Sequence, residues 1–404
     1  MRDPRKVALF TNEYPPHVYG GAGVHVEYLS RALAKLLPVE VRCFGNQQVN
    51  APQLTVRGYT QWDETKHGTD PRYTGAVDAL ARSLLMAKDT LDADVVHCHT
   101  WYTDMGGLLA SKLWGIPYVL TIHSLEPLRP WKVEQLGNGY HLSSWIERTA
   151  LEQANAIVAV SQETREDILR HFNLAPEKVH VIYNGIDLEE YQKATSTAAL
   201  TKYGIDPARP FVLFVGRITR QKGIMHLVNA IPNIDPELQV VLCAGAPDTP
   251  EIGREMQERV AAVSAERPDV IWIPEMLARP DVIQLYSHAT VFCCPSVYEP
   301  FGIINLEAMA CETAVVASAV GGIKEVVVPE ETGLLIQLKL RPGSFDPEDP
   351  AAFSAALAAG INRVARDQAL RERFGANGRR RVEAHFSWDA IAQKTLELYR
   401  SLLD

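Results

Sequence analysis

Phe211-Val-Leu-Phe-Val-Gly-Arg-Ile-Thr-Arg-Gln-Lys-Gly223 is the stretch that decides the fold class. Five apolar residues make a short buried strand, a glycine turns the chain, and a polar run leads to a second glycine where a helix can begin. The same succession recurs on both sides. Downstream, apolar runs predict strands at 238–244, 270–273, 290–294, 314–318 and 333–338. Upstream they fall at 7–10, 39–44, 95–97, 118–122, 156–160 and 179–183, with helical stretches at 23–36, 78–88 and 144–153. Short apolar runs alternating with helices predict α/β architecture with parallel sheets. Between the two series, residues 188–210 lose the pattern and end in Asp206-Pro-Ala-Arg-Pro210, as a linker would. The reading is two Rossmann-like halves, 1–190 and 205–387. In the last segment, Ser387 can cap a helix whose Ile391, Leu396, Tyr399 and Leu402 share one face. Periodicity does not say which half that helix covers.

The 404 residues hold 40 Lys+Arg against 49 Asp+Glu, a formal charge of −9, and are 47% hydrophobic and 22% charged. At about 150 residues per domain, that is two or three domains of soluble globular composition. The acid excess argues against a broad basic surface for nucleic acid, while leaving room for a local cluster of cations. No apolar run reaches the roughly 20 residues of a membrane span. The stretch after Lys6 is broken by Thr11-Asn-Glu13, too short for a secretory signal, so the expected location is the cytoplasm. The six cysteines, at 43, 98, 243, 293, 294 and 311, form no Cys-x-x-Cys pair. Free buried thiols are expected rather than disulfides.

Three loops can carry chemistry. Thr11-Asn-Glu-Tyr-Pro-Pro-His-Val-Tyr-Gly-Gly-Ala-Gly23 follows the first strand and precedes a helix. Its glycines let backbone amides approach an anion, and phosphate contact is the preferred reading, with a plain tight turn as the alternative. The dinucleotide pattern Gly-x-Gly-x-x-Gly fails, because Val26 stands at the third position. At the mirrored place in the second half, Arg217 and Lys222 stand between Gly216 and Gly223, suited to a diphosphate rather than merely solvated. Ser296-Val-Tyr-Glu-Pro-Phe-Gly302 then follows a strand and leads into a helix carrying Glu307. Glu299 and Glu307 can accept hydrogen bonds from vicinal hydroxyls of sugar or ribose.

Taken in order, Gly20-Gly-Ala-Gly23, Val215-Gly-Arg-x4-Lys-Gly223, Glu299-Pro-Phe-Gly-x4-Glu307, Val320-Gly-Gly-Ile-Lys-Glu-Val-Val327 and Thr332-Gly333 resemble the retaining glycosyltransferase family 4 across nearly the whole chain. Asn184-Gly-Ile-Asp187 is similar to that family's hinge-side signature. The run from Asn12 to His25, with His123-Ser-Leu-Glu-Pro-Leu-Arg-Pro-Trp131, resembles the actinobacterial-type glycogen synthases within it. The resemblance implies a GT-B fold: two Rossmann-like domains facing a central cleft, with a C-terminal helix, 388–404, crossing back to the first. It implies transfer of glucose from ADP-glucose to glucose 1-phosphate or an α-1,4-glucan, with another nucleotide sugar and acceptor as the alternative. By motif, Arg217 and Lys222 would hold the donor diphosphate, Glu299 the transferred sugar, and Glu307 the ribose. Amides around Gly302 and Ile303 would assist, Gly20 and Gly21 would close over the diphosphate, and His123 would sit by the sugar. No cofactor or metal is implied, and a homodimer is left open.

On the acceptor side, Arg129 and Lys132 are candidates for the phosphate of glucose 1-phosphate, with surface cations as the alternative. Asp104 is either an acceptor contact or a helix N-terminal charge. Asp92-Ala-Asp94 imitates a metal motif at the wrong end of a strand and reads as a solvated surface pair. His97-Cys98-His99 has metal-like spacing without an evident third ligand, so no metal is expected.

Overall fold

Runs of Val, Ile, Leu and Ala form two sheets whose central strands are buried on both faces, as parallel strands covered by helices must be. The computed structural model describes residues 2–63 and 71–403. The chain divides into two units, Met1–Gly185 with Trp388–Asp404, and Ile186–Ser387.

The first unit contains β1 (Val7–Thr11), β2 (Val39–Phe44), β3 (Gln48–Asn50) and β4 (Leu54–Tyr59). It continues with β5 (Val95–His99), β6 (Tyr118–Ile122), β7 (Ala156–Ala159) and β8 (Val179–Val181). Their order is β3-β4-β2-β1-β5-β6-β7-β8, parallel except for β3 on β4. Those two strands escape the sequence reading. β3 is three exposed residues, and β4 interrupts its apolar positions with Arg57 and Gly58. One sheet face packs on the helix Gly21–Leu33 and on the C-terminal helix Trp388–Ser401 through Val26, Leu29, Trp388, Leu396 and Tyr399. The other packs on the helices Trp101–Trp114 and Gly139–Gln153 through Leu108, Ala150 and Leu151.

The question periodicity left open is thus answered: the last helix belongs to the first unit. Trp388 stacks on Tyr28 at 5.9 Å between ring centres. The Tyr399 hydroxyl lies 2.6 Å from His97 Nδ1 in the core. Gly185 has to be glycine for this docking, since a Cβ there would sit 2.6 Å from Trp388 Cδ2.

The second unit contains β9 (Phe211–Arg217), β10 (Gln239–Gly245), β11 (Val270–Ile273), β12 (Val291–Cys294), β13 (Val315–Ser318) and β14 (Gly333–Ile336). They run parallel in the order β11-β10-β9-β12-β13-β14. The segment expected as a linker, 188–210, lies inside this unit and carries the short helix Ala198–Lys202. Ala194 and Ala199 donate backbone N–H groups to Ser287 and Gln284, and Lys202 pairs with Asp281 at 2.6 Å. These polar anchors leave no apolar period in the sequence. Asp94 is likewise no solvated decoy, because it binds the backbone and guanidinium of Arg5 at the start of β5. All six cysteines are free and buried.

In both sheets the strand order reverses beside the first strand of the unit, between β1 and β5 and between β9 and β12. Loops leaving the carboxyl ends at such a reversal form the usual ligand crevice of an open α/β sheet.

Candidate functional site

In the second unit the loops after β9 and β12 lie against each other. Gly223 has φ +62°, and a Cβ there would fall 2.0 Å from the Pro295 carbonyl oxygen, so only glycine permits the approach. Val297 N–H donates to the Gln221 carbonyl across the same seam. This contact lets Lys222 Nζ reach Glu299 Oε2 at 2.7 Å, where Ser296 Oγ also donates at 3.2 Å. Glu299 is buried, and a buried carboxylate needs such a partner. Arg217, at the end of β9, donates from Nη1 to Asp248 Oδ1 at 2.8 Å.

Gly302, with φ +97°, opens the helix Ile303–Ala310, whose first-turn amides have no acceptor within the helix. Glu307, a turn along, accepts hydrogen bonds from the hydroxyls of Tyr191 at 3.1 Å and Tyr286 at 2.9 Å. Burial raises its carboxyl above the ordinary range, against the pull of those two hydroxyls. Gly321 and Gly322 support the Glu299 loop from beneath: Gly322 N–H donates to the Glu299 carbonyl at 3.0 Å. A Cβ on Gly321, where φ is +51°, would lie 1.9 Å from that same oxygen.

In the first unit, Gly20 is the N-cap of the helix that Gly21 begins. The amides there are not free. Glu13 Oε2 accepts from the N–H of Tyr19 and of Gly20, each at 2.7 Å, and a Cβ on Gly23 would lie 2.7 Å from that oxygen. The loop therefore holds a negative charge, as its sequence suggests, but the charge belongs to the chain.

His123 follows β6 and helps line a cavity of about 40 Å³ with Asp104, Glu126, Arg129 and Glu147. That is room for water rather than a sugar. Ser143 Oγ donates to Glu126 at 2.6 Å, and Glu126 N–H donates to the Glu147 carboxyl. Burial pushes Asp104 and Glu147 well above the usual carboxylate range. Asp104 is in the first helical turn, yet at 1% exposure it is no surface charge. Arg129 donates to Ser124 Oγ at 2.6 Å and lies 3.5 Å from Glu126, so it is the cation of a buried acid cluster rather than a free surface charge. Lys132 begins the helix Lys132–Leu136 and does not line the cavity.

The sequence singled out His123, and His99 within His97-Cys98-His99, but neither His25 nor the meeting of the three. His25, His99 and His123 come from a helix, a strand end and a loop, and place one ligand nitrogen each within 4.8 Å of the others. His97 is excluded from that group because both its nitrogens are engaged, with Tyr399 and Thr121. Thr100 has φ +72° and ψ 153°, a conformation nearly confined to glycine, and its hydroxyl donates to Asn12 Oδ1 across the β1–β5 reversal. The available signal was His97-Cys98-His99. What was missing was any sequence sign of the partners that fold onto it.

Family models match both units: Glycosyltransferase Family 4 over residues 19–190 and Glycosyl transferases group 1 over residues 196–381. The chain is 48% identical to the alpha-maltose-1-phosphate synthases of Mycolicibacterium smegmatis and Mycobacterium tuberculosis, covering 98% of this chain and 99% of each of those proteins. It is 30% identical to the D-inositol 3-phosphate glycosyltransferase of Xylanimonas cellulosilytica, over 94% of this chain and 91% of that one. Among solved structures, sucrose-phosphate synthase from Thermosynechococcus elongatus matches with a TM-score of 0.77 and 26% identity, over 98% of this chain and 99% of that one. Among the described residues no helix is long and apolar enough to cross a membrane.

Proposed function

The chain belongs to glycosyltransferase family 4 and is a glycosyltransferase of the GT-B fold; on that premise we propose that it moves glucose from ADP-glucose, with retained α configuration, to glucose 1-phosphate. The product would be α-maltose 1-phosphate, and the non-reducing end of an α-1,4-glucan is the second acceptor. The setting would be cytoplasmic α-glucan and glycogen synthesis. The observation that carries this reading is the 48% identity over 98% of the chain to the alpha-maltose-1-phosphate synthases, against 30% to the D-inositol 3-phosphate enzyme.

In this reading the second unit binds the donor. Glycosyl transfer builds positive charge on the sugar while negative charge grows on the departing ADP. Preorganised cations on the diphosphate supply the largest stabilisation. Arg217 and Lys222 are the groups for it, and no metal is needed for the transfer. Both rest on carboxylates, Asp248 and Glu299, which hold them at the mouth of the β9 loop. Glu299 takes the hydroxyls of the transferred sugar and Glu307, steadied by two tyrosines, takes the ribose. The amides of Gly302 and Ile303 support the phosphate.

We assign the acceptor to the first unit, with Arg129 and Lys132 as its candidate contacts and His123 beside the transferred sugar; Asp104, which is buried, has no access to it. The test is nucleotide release from ADP-, UDP- and GDP-glucose, with glucose 1-phosphate and glycogen compared as acceptors. ADP release that depends on acceptor is expected. Release from UDP- or GDP-glucose alone contradicts the donor assignment, and an inert protein contradicts the enzyme.

A further inference from the structure

Four imidazoles, His25, His97, His99 and His123, cluster within the first unit, and His97 differs from the rest. His97 donates or accepts at both nitrogens, as a structural histidine should. Of the other three, His25 and His99 each leave one nitrogen unpaired. His25 Nδ1 lies 2.5 Å from Asn184 Oδ1, an acceptor, so Nδ1 carries the proton and Nε2 presents a lone pair. That Nε2 and His99 Nε2 are buried with no hydrogen-bond partner among the described residues. His99 Nδ1 and His123 Nε2 lie 3.2 Å apart, one ring donating to the other, so the two rings are already held at hydrogen-bond distance.

We propose that His25, His99 and His123 form a binding site for a divalent transition-metal ion, zinc in the first instance. The ring geometry supports it. Zn–N bonds of about 2.0–2.1 Å put imidazole centres about 3.2 Å from the ion and, at tetrahedral angles, about 5.2 Å from one another. The observed centre-to-centre distances are 5.3 Å for His25–His99, 4.7 Å for His25–His123 and 5.5 Å for His99–His123. The ligand nitrogens lie within 4.8 Å, and closing to the about 3.4 Å of a tetrahedral set asks each to move by less than about 1 Å. Asn184 supplies the outer hydrogen bond that fixes a ligating imidazole's tautomer and orientation. Three protein nitrogens leave a fourth position for solvent or another ligand. Because His123 is also the residue assigned to the transferred sugar, zinc would inhibit the transfer. That consequence rests on the functional reading above, whereas the metal site itself does not.

The experiment is calorimetric titration of the full-length, chelator-treated protein with zinc sulfate, followed by its visible spectrum with cobalt(II). One zinc per chain is expected, with an intense tetrahedral cobalt spectrum. His25→Gln and His99→Gln should each weaken binding by more than about 100-fold, and Asn184→Ala by about 10–100-fold, while the exposed-residue control His141→Gln leaves it unchanged. The cobalt spectrum of the unmutated protein decides the matter even where a variant fails to fold. Absence of stoichiometric zinc, a weak octahedral cobalt spectrum, or binding that survives His25→Gln and His99→Gln unchanged overturns the site. Inhibition failing while zinc still binds contradicts only the role of His123 in transfer.

Discussion

Replacing Gly321 by alanine separates the cost of a strained backbone from the cost of moving the Glu299 loop. Gly321 and Gly343 both have positive φ, +51° and +71°, so alanine at either must adopt the left-handed region, at about 1–2 kcal/mol. At Gly343 nothing lies within 4 Å of the added Cβ, and that is the whole effect. At Gly321 the Cβ falls 1.9 Å from the Glu299 carbonyl oxygen, whereas real Cβ contacts under 3.0 Å are essentially never seen. The obstruction is backbone, so the loop itself has to yield by about 1 Å. Forcing such overlap costs a further ~1–3 kcal/mol, and displacing a substrate-positioning carboxylate by about 1 Å costs on the order of 10²-fold in rate. Urea unfolding should therefore place Gly321→Ala below Gly343→Ala in stability. Steady-state kinetics should show kcat/KM down about 10²-fold in the first and near normal in the second. Equal stability and equal activity in the two variants would refute the idea that this glycine positions Glu299.

Lys222→Ala should lower kcat about 10²-fold, as loss of one preorganised donor does, and should also lose stability because Glu299 is left buried without its cation. Adding Glu299→Gln restores the stability and not the rate; a fully active double variant contradicts the diphosphate role. Glu147 carries a pH signature. Burial raises its folded pKa above the unfolded value of about 4.3, so the native state binds the extra proton and stability falls as pH rises past that value. Glu147→Gln should flatten this fall in denaturant titrations between pH 4 and 8, and an unchanged slope removes the carboxyl from the account. Arg129→Ala should raise KM for glucose 1-phosphate with donor KM unchanged; a loss of stability alone, with both constants intact, leaves Arg129 only its structural role beside Glu126.

The two sheets were legible because parallel strands covered on both faces are nearly continuous apolar runs, and twelve of them stand in the sequence. The site loops were legible for a related reason. A strand end, a glycine and a helix start mark each of them, and the structure puts Lys222 and Glu299 on such loops and Glu307 on the helix that follows. What escaped were contacts made across the fold. Tyr191 reaching Glu307 across 116 positions and Tyr399 reaching His97 across 302 leave no local trace. The polar anchors of 188–210 hid in the same way, as did the convergence of His25, His99 and His123. The acidic balance also said little about any single charge, since Arg129 and Lys222 each answer to a buried carboxylate.

The most direct measurement of the central claim is the product formed from ADP-glucose and glucose 1-phosphate by the purified chain, identified by ¹H and ³¹P nuclear magnetic resonance. Equimolar ADP and a disaccharide phosphate are the expected result, the new linkage being α-1,4. ADP released with free glucose as the only sugar product, or a β linkage, would contradict it.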